Sequence, residues 1–203
     1  MRKLVIGLGN PGDRYMNNRR NIGFKIIDVL ANNTGIQIKT KKKKSLLGIG
    51  DFEGHEIVLL KPQTFMNLSG EAVLYIASFL RVAVPDIIVV HDDYSLNYGD
   101  IQVARGPVEV PHVGTESIAK GLKSDKFIRI RVGTGPAPQE AVEKKDQKTI
   151  EKYNLSDFNL EENYKIIEVI NDAEAALRSI LTQDIEDVLS KYVIGASFKN
   201  TSD

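Results

Sequence analysis

The residues of this chain that could do chemistry sit where apolar runs end. Leu4 to Leu8 is a short apolar run that reads as a buried strand, and it passes into Gly7-Leu-Gly-Asn-Pro-Gly12. A second run, Ile87–Val90, delivers His91-Asp92-Asp93. A strand tip followed by a glycine-rich turn and a polar loop, here Asp13 to Asn21, is where α/β proteins place a site. Gly7-x-Gly9-x-x-Gly12 spells the dinucleotide fingerprint. That motif needs a helix opening inside the glycines, so that its amides meet a pyrophosphate, and an acidic residue closing a second strand. Pro11 and the polar loop stand in place of the helix. Asp28 has the right distance but lies in a helical pattern, Ile22–Asn32. No dinucleotide cofactor is expected.

The remaining composition narrows the chemistry further. The 203 residues include no cysteine, which excludes disulfides and thiolate chemistry. His55, His91 and His112 are isolated, without metal-ligand spacing, so no metal site is expected. Lys and Arg number 27 against 27 Asp and Glu, and bulk charge gives no footprint for nucleic acid. Charge is locally segregated: Lys39 and Lys41–Lys44 form a basic run, which reads as a solvated turn or a phosphate contact. No apolar run approaches a membrane span, and Met1-Arg-Lys-Leu enters a strand with no signal-peptide pattern. A cytoplasmic protein without cofactor is expected.

The elements that must position these residues follow from periodicity. Ile22–Asn32 has helical spacing, and Ile36–Lys39 reads as a strand. Leu46–Phe52 and Glu56–Leu60 read as strands turned at Glu53-Gly54-His55, with His55 in the turn. Asn67 or Ser69 is placed to cap a helix, Gly70–Leu80. Pro85 precedes the strand Ile87–Val90. Ile101–Ala104 is a strand, Gly106–Gly114 irregular and Ser117–Leu122 helical. Ile128–Val132 alternates as a strand with one wet face. Gly133–Lys148 reads as a long polar loop that serves function or a mobile cover. Leu160–Tyr192 holds two amphipathic helices, with Ile166, Ile167, Ile170, Ala173, Ala176, Leu177 and Ile180 on one stripe. One α/β domain is expected over residues 1–195, with 196–203 a frayed tail.

Several segments together resemble the bacterial peptidyl-tRNA hydrolase family. They are Gly7-Leu-Gly-Asn-Pro-Gly12 with Tyr15, Thr64-Phe-Met-Asn-Leu-Ser-Gly70, and His91-Asp92-Asp93 before Leu96 and Gly99. Arg19-x-Asn21-x-Gly23-Phe24, Gly114-x-x-Ser117-Ile118, Arg129-Ile-Arg-Val-Gly-x-Gly135 and Tyr153-x-Leu155-x-x-Phe158 support them, in order from residue 2 to about 190. The resemblance implies a single domain with a mixed, twisted β-sheet flanked by helices. It implies metal-free hydrolysis of the ester between a stalled peptide and the terminal ribose of tRNA, in the cytoplasm, during translation and ribosome rescue, by a monomer. In such a site a His takes a proton from water, an Asp orients that His, and Asn amides hold substrate. By motif, Asp92 matches the orienting acid, and Asn10 and Asn67 match substrate-holding amides, with Tyr15 beside them.

The same resemblance exposes departures. The family's Thr-Arg-His-Asn stretch is here Asn18-Arg19-Arg20-Asn21, so Arg20 stands at the base position. An arginine stays protonated and has no acceptor nitrogen. The family's Gly-Gly-His-Asn-Gly loop is Val110-Pro111-His112-Val113-Gly114, which keeps a histidine but puts Val113 at a substrate amide. His112 is a candidate substitute base or a loop anchor. On the tRNA-binding strand Gln102 and Ala104 replace basic residues and Glu116 replaces a lysine, leaving Arg105 and Arg131 as tRNA contacts. Impaired hydrolysis with weakened tRNA binding is expected, and Arg20 is expected to pair with Asp92. The alternatives are a non-catalytic relative that binds tRNA, RNA or a protein, and an engineered inactive variant.

Overall fold

The run Leu4-Val-Ile-Gly7 is apolar throughout because both faces of its strand are covered. β1 (Arg2–Gly7) lies in the middle of the sheet, and those residues are buried. The computed structural model describes residues 2–192; the expected tail at 196–203 lies outside them. After β1 come α1 (Ile22–Thr34), β2 (Thr40–Lys41), β3 (Ser45–Phe52), β4 (His55–Pro62), α2 (Ser69–Leu80) and β5 (Ile87–Asp93). Then follow β6 (Ile101–Arg105), α3 (Val113–Leu122), β7 (Ile128–Gly133), α4 (Gln139–Glu143), α5 (Gln147–Asn154), α6 (Leu160–Thr182) and α7 (Ile185–Lys191).

The sheet order is β2-β3-β4-β1-β5-β7-β6. β1 runs parallel to β4 and β5, and β5 parallel to β7, while β3 and β6 are antiparallel to their neighbours. The sheet is therefore mixed, in a single α/β domain. Alternation sends Val5, Ile57, Ile88 and Ile130 against α1 and α6, through Ile26, Ile27, Ala173 and Leu177. It sends Leu4, Ile6, Val58 and Val89 against α2 and α3, through Val73, Ile76 and Ile118. The parallel strands β1, β4, β5 and β7 all end at one edge, where the connecting loops form a crevice. Gly23 lets α1 close onto that edge: a Cβ there would meet the Val90 and Leu8 carbonyl oxygens at 2.5 and 2.6 Å.

Several local expectations are corrected. Ile36–Lys39 is not a strand. Gly35 takes a left-handed cap and the Ile36 N–H bonds back to Ala31 O at 2.9 Å, so the chain first closes the helix and joins the sheet only at Thr40. His55 is not in the turn but opens β4, opposite Phe52. Neither Asn67 nor Ser69 caps α2 through its side chain; the Gly70 N–H bonds instead to Ser117 Oγ on α3 at 2.9 Å. The outer face of β7 is not wet, because Arg129 is buried and donates to the carbonyls of Gly106 and Asp125. The loop Gly133–Lys148 contains α4 and the start of α5, which Asp146 caps by accepting from the Thr149 N–H. Ile167 leaves the buried stripe of α6 and is 69% exposed.

Candidate active site around Asp92

β5 carries Asp92 to the crevice and buries it completely. Its carboxylate is held from two sides. Arg20 Nη1, in the short 3-10 turn before α1, donates to Oδ2 at 2.8 Å. His112 Nε2, in the residue before α3, meets Oδ1 at 2.9 Å. The Arg20–Asp92 contact runs through one nitrogen, not two. Burial works to raise the Asp92 pKa, but the Arg20 guanidinium and the His112 imidazole outweigh it and hold the carboxyl well below its usual range.

The protonation of His112 follows from its partners. Nδ1 accepts from the backbone N–H groups of Gly114 at 3.1 Å and Thr115 at 3.4 Å, which makes His112 the cap of α3. Nδ1 therefore carries no proton, and Nε2, facing a carboxylate that only accepts, carries it. Both ring nitrogens are engaged, so His112 presents no lone pair to a water. Arg20 has none to present.

A cleft of about 460 Å³ opens above this trio. Asn10, Tyr15, Arg20, Asn67, His112 and Val113 all line it, while Asp92 lies behind Arg20 and His112. Asn10 is fixed by Asn21, whose amide bonds both the Asn10 N–H and the Asn10 carbonyl at 2.9 Å. Asn10 Oδ1 accepts from the Met66 N–H at 3.2 Å, which identifies the oxygen side of the amide and leaves Nδ2 as its donor. Asn67 is exposed beside it, and its carbonyl receives Ser117 Oγ. Val113, the first residue of α3, is 45% exposed and puts an apolar wall in the cleft.

The remaining candidates lie elsewhere. Arg105 and Arg131, on β6 and β7, do not line the cleft. Arg105 pairs with Glu186 at 2.7 Å, and Arg131 donates to Asp93 at 2.8 Å and Gln102 at 2.7 Å. Asp93 also receives the Ser95 N–H and hydroxyl, closing the turn after β5. His91 is fully buried, its ring 4.6 Å from that of His112 and its Nδ1 bonded to the Asp92 carbonyl. Among the described residues no group of three His, Cys, Asp or Glu could hold a metal ion, and no helix is long and apolar enough to cross a membrane.

One wall of the cleft carries none of the site residues expected from the sequence. Gln147, Ile150, Glu151, Asn154 and Leu155 of α5 and its exit line it, and Asn154 Oδ1 is buried without a hydrogen-bond partner in the structure. Arg19 anchors that wall. Its guanidinium takes Glu162 through both oxygens at 2.8 and 2.6 Å, bonds Thr134 O and Ser156 Oγ, and lies over the Tyr153 ring. The sequence signal was the pair of motifs Arg19-x-Asn21-x-Gly23-Phe24 and Tyr153-x-Leu155-x-x-Phe158, which the fold brings together through Arg19.

A family model described as peptidyl-tRNA hydrolase matches residues 4–201. A peptidyl-tRNA hydrolase of Caldanaerobacter subterraneus subsp. tengcongensis is 38% identical over 189 residues, covering 93% of this chain and 98% of that protein. One from Clostridium botulinum strain Alaska E43 is 37% identical, covering 93% and 94%. The crystal structure of peptidyl-tRNA hydrolase from Acinetobacter baumannii superposes with a TM-score of 0.82 at 29% identity, covering 94% of this chain and 93% of that one.

Proposed function

This chain belongs to the peptidyl-tRNA hydrolase family, and we propose that it recognises peptidyl-tRNA in the Asp92 cleft while hydrolysing it at a much reduced rate. The observation that carries this is the double engagement of Asp92: Arg20 holds one oxygen at 2.8 Å and His112 the other at 2.9 Å. Ester hydrolysis needs an acceptor for the proton of the attacking water. Neither a guanidinium nor an imidazole with both nitrogens engaged supplies one, and a positioned general base contributes ~10²–10⁴ in rate. Asn10 Nδ2 and the exposed amide of Asn67 support substrate binding, since a donor and an amide at the strand tip suit an ester carbonyl and a peptide backbone.

The tRNA body is held weakly in this proposal. Arg131 and Arg105 already satisfy carboxylates of the protein, and a phosphate must compete with Asp93 and Glu186 for them. The protein then acts in the cytoplasm as a monomer on stalled translation products, binding more than cleaving.

The test is peptidyl-tRNA cleavage measured beside direct binding of the same molecule. Binding with cleavage near background is expected. Robust turnover abolished by His112→Ala would make His112 the base and overturn the proposal. Turnover abolished by Glu151→Gln, which removes a carboxylate lining the cleft, would do the same in favour of Glu151.

A further inference from the structure

We infer that the Lys41–Lys44 turn and the exposed face of α2 form a binding surface for RNA with unpaired nucleotides, distinct from the Asp92 cleft. None of its residues lines that cleft, and the inference does not depend on what the cleft does.

The turn is built against backbone preference. Lys42 and Ser45 exchange both N–H···O bonds at 2.9 Å, which closes a two-residue hairpin loop at Lys43-Lys44. Both central residues have positive φ, 43° and 55°. Asn-Gly is the sequence such a loop favours, because a Cβ is strained in the left-handed region. Lysine at both positions sacrifices local stability and gains two outward ammonium groups. Strain of this kind marks functional segments when another observation agrees.

The agreeing observation is on α2. Tyr75 and Phe79, one turn apart, are 39% and 57% exposed and lie parallel, with centroids 6.2 Å apart and planes 4° apart. Lys42 Nζ sits 3.3 Å from the Phe79 centroid and Lys43 Nζ 5.5 Å from that of Tyr75. Leu74 is exposed alongside. Two ring faces thus carry two ammonium groups at close range, with Lys41 and Lys44 beside them. Among the described residues none of the four lysines forms a salt bridge. Glu71 is the carboxylate that shares the depression with Lys43, Tyr75 and Phe79.

Rings on which bases stack, beside ammonium groups on flexible stems that can leave the ring faces to meet phosphates, match single-stranded nucleic acid in both charge and shape. A purely apolar partner would leave the lysines desolvated and unpaired. Duplex RNA, with its bases stacked on one another, would leave the rings unused.

The experiment is fluorescence anisotropy of the full chain with a short labelled RNA of unstructured sequence and with its duplex, at several salt concentrations. The single strand should bind more tightly. Tyr75→Ser/Phe79→Ser should weaken it on the order of tenfold or more. Lys43→Asn/Lys44→Gly should raise the melting temperature, since it relieves the turn, while reducing the salt slope by about 1.4, two phosphate contacts' worth. A raised melting temperature also shows that the variant is folded. Equal binding of single strand and duplex, or a turn variant that binds RNA with the parent's affinity and slope, would overturn the proposal. So would a parent that sediments as a dimer, becomes a monomer with Phe79→Ser and never binds the RNA.

Discussion

Arg20 Nη1 lies 2.8 Å from Asp92 Oδ2, at the end of a fully buried strand. That contact occupies the side of the carboxylate facing the loop between β1 and α1, and His112 occupies the other oxygen. An orienting acid needs a free oxygen for the base it orients. In this chain both oxygens are taken, one by a side chain that cannot deprotonate and one by a helix cap. This double engagement is what the proposed slow hydrolysis rests on.

Restoring the base position alone should recover little. Arg20→His places an imidazole on the vacated Oδ2, but Val113 still offers no hydrogen bond to water or carbonyl. Adding Val113→Asn, at a helix position that tolerates the change, should raise peptidyl-tRNA cleavage by more than the product of the two single effects, because groups that act as a unit are non-additive. Initial rates of the four proteins decide it. Full recovery from Arg20→His alone would show that Val113 is harmless.

The same pair should dominate local stability. Arg20→Met keeps most of the volume but removes the opposite charge from a buried carboxylate, which keeps only its His112 bond, so urea unfolding at pH 7 should show a loss of up to ~3–5 kcal/mol. Combining it with Asp92→Asn should cost less than the two changes summed. The exposed pair Lys144–Glu140 provides the contrast: Lys144→Ala should change stability by less than ~0.5 kcal/mol. A cost for Arg20→Met as small as that would mean water reaches Asp92.

What the sequence revealed, and what it hid, follows from the range of the interactions involved. β1 and the Ile87–Val90 part of β5 were legible because a strand covered on both faces is apolar along its length, and the break at Gly9–Gly12 is equally plain; β5 itself runs on through buried His91, Asp92 and Asp93. The place of Arg20 and Val113 near the strand tips was legible from the resembled motifs, and both line the cleft. α5 was not, because only Ile150 and Asn154 of its residues are buried and its pattern is too polar to stand out from a loop. The capping role of His112 needed coordinates, since histidine at that position is not a usual cap. So did the burial of Arg129 and Arg19: their carbonyl partners lie as far as 138 residues away in sequence, and no local pattern encodes them.

His91 predicts an acid sensitivity. Burial, followed by the neighbouring His112, pushes its pKa down to about 3, against weaker opposing effects of Asp93 and Asp92. Its folded pKa is below its unfolded one, so the unfolded chain gains a proton first, and stability falls as pH drops from about 6.5 towards 3. Between pH 7 and pH 5 this amounts to about 2 kcal/mol. His91→Leu should remove that part of the pH dependence, whatever it does to stability at pH 7. Urea midpoints at the two pH values, for parent and variant, test the point. Parallel losses in both would place the sensitivity on other groups.

Arg19 should control the wall of the cleft without touching substrate. It bonds carbonyls at Thr134, Ser156 and Asp157, takes both oxygens of Glu162, and packs over Tyr153 and Phe158. Glu162 in turn closes the N-terminus of α6 through the Asn159 N–H. A lysine keeps the charge but has neither the planar fork nor the stacking face, so it can satisfy only part of this set. Arg19→Lys should therefore loosen Gln147–Asn154 while leaving the sheet intact. Hydrogen–deuterium exchange should rise in α5 and the segment up to Phe158, with β1 and β5 unchanged, and affinity for peptidyl-tRNA should fall because Ile150 and Asn154 no longer line a fixed wall. Unchanged exchange in α5 would show that the helix is held by its own contacts, and that Arg19 serves only the charge of Glu162.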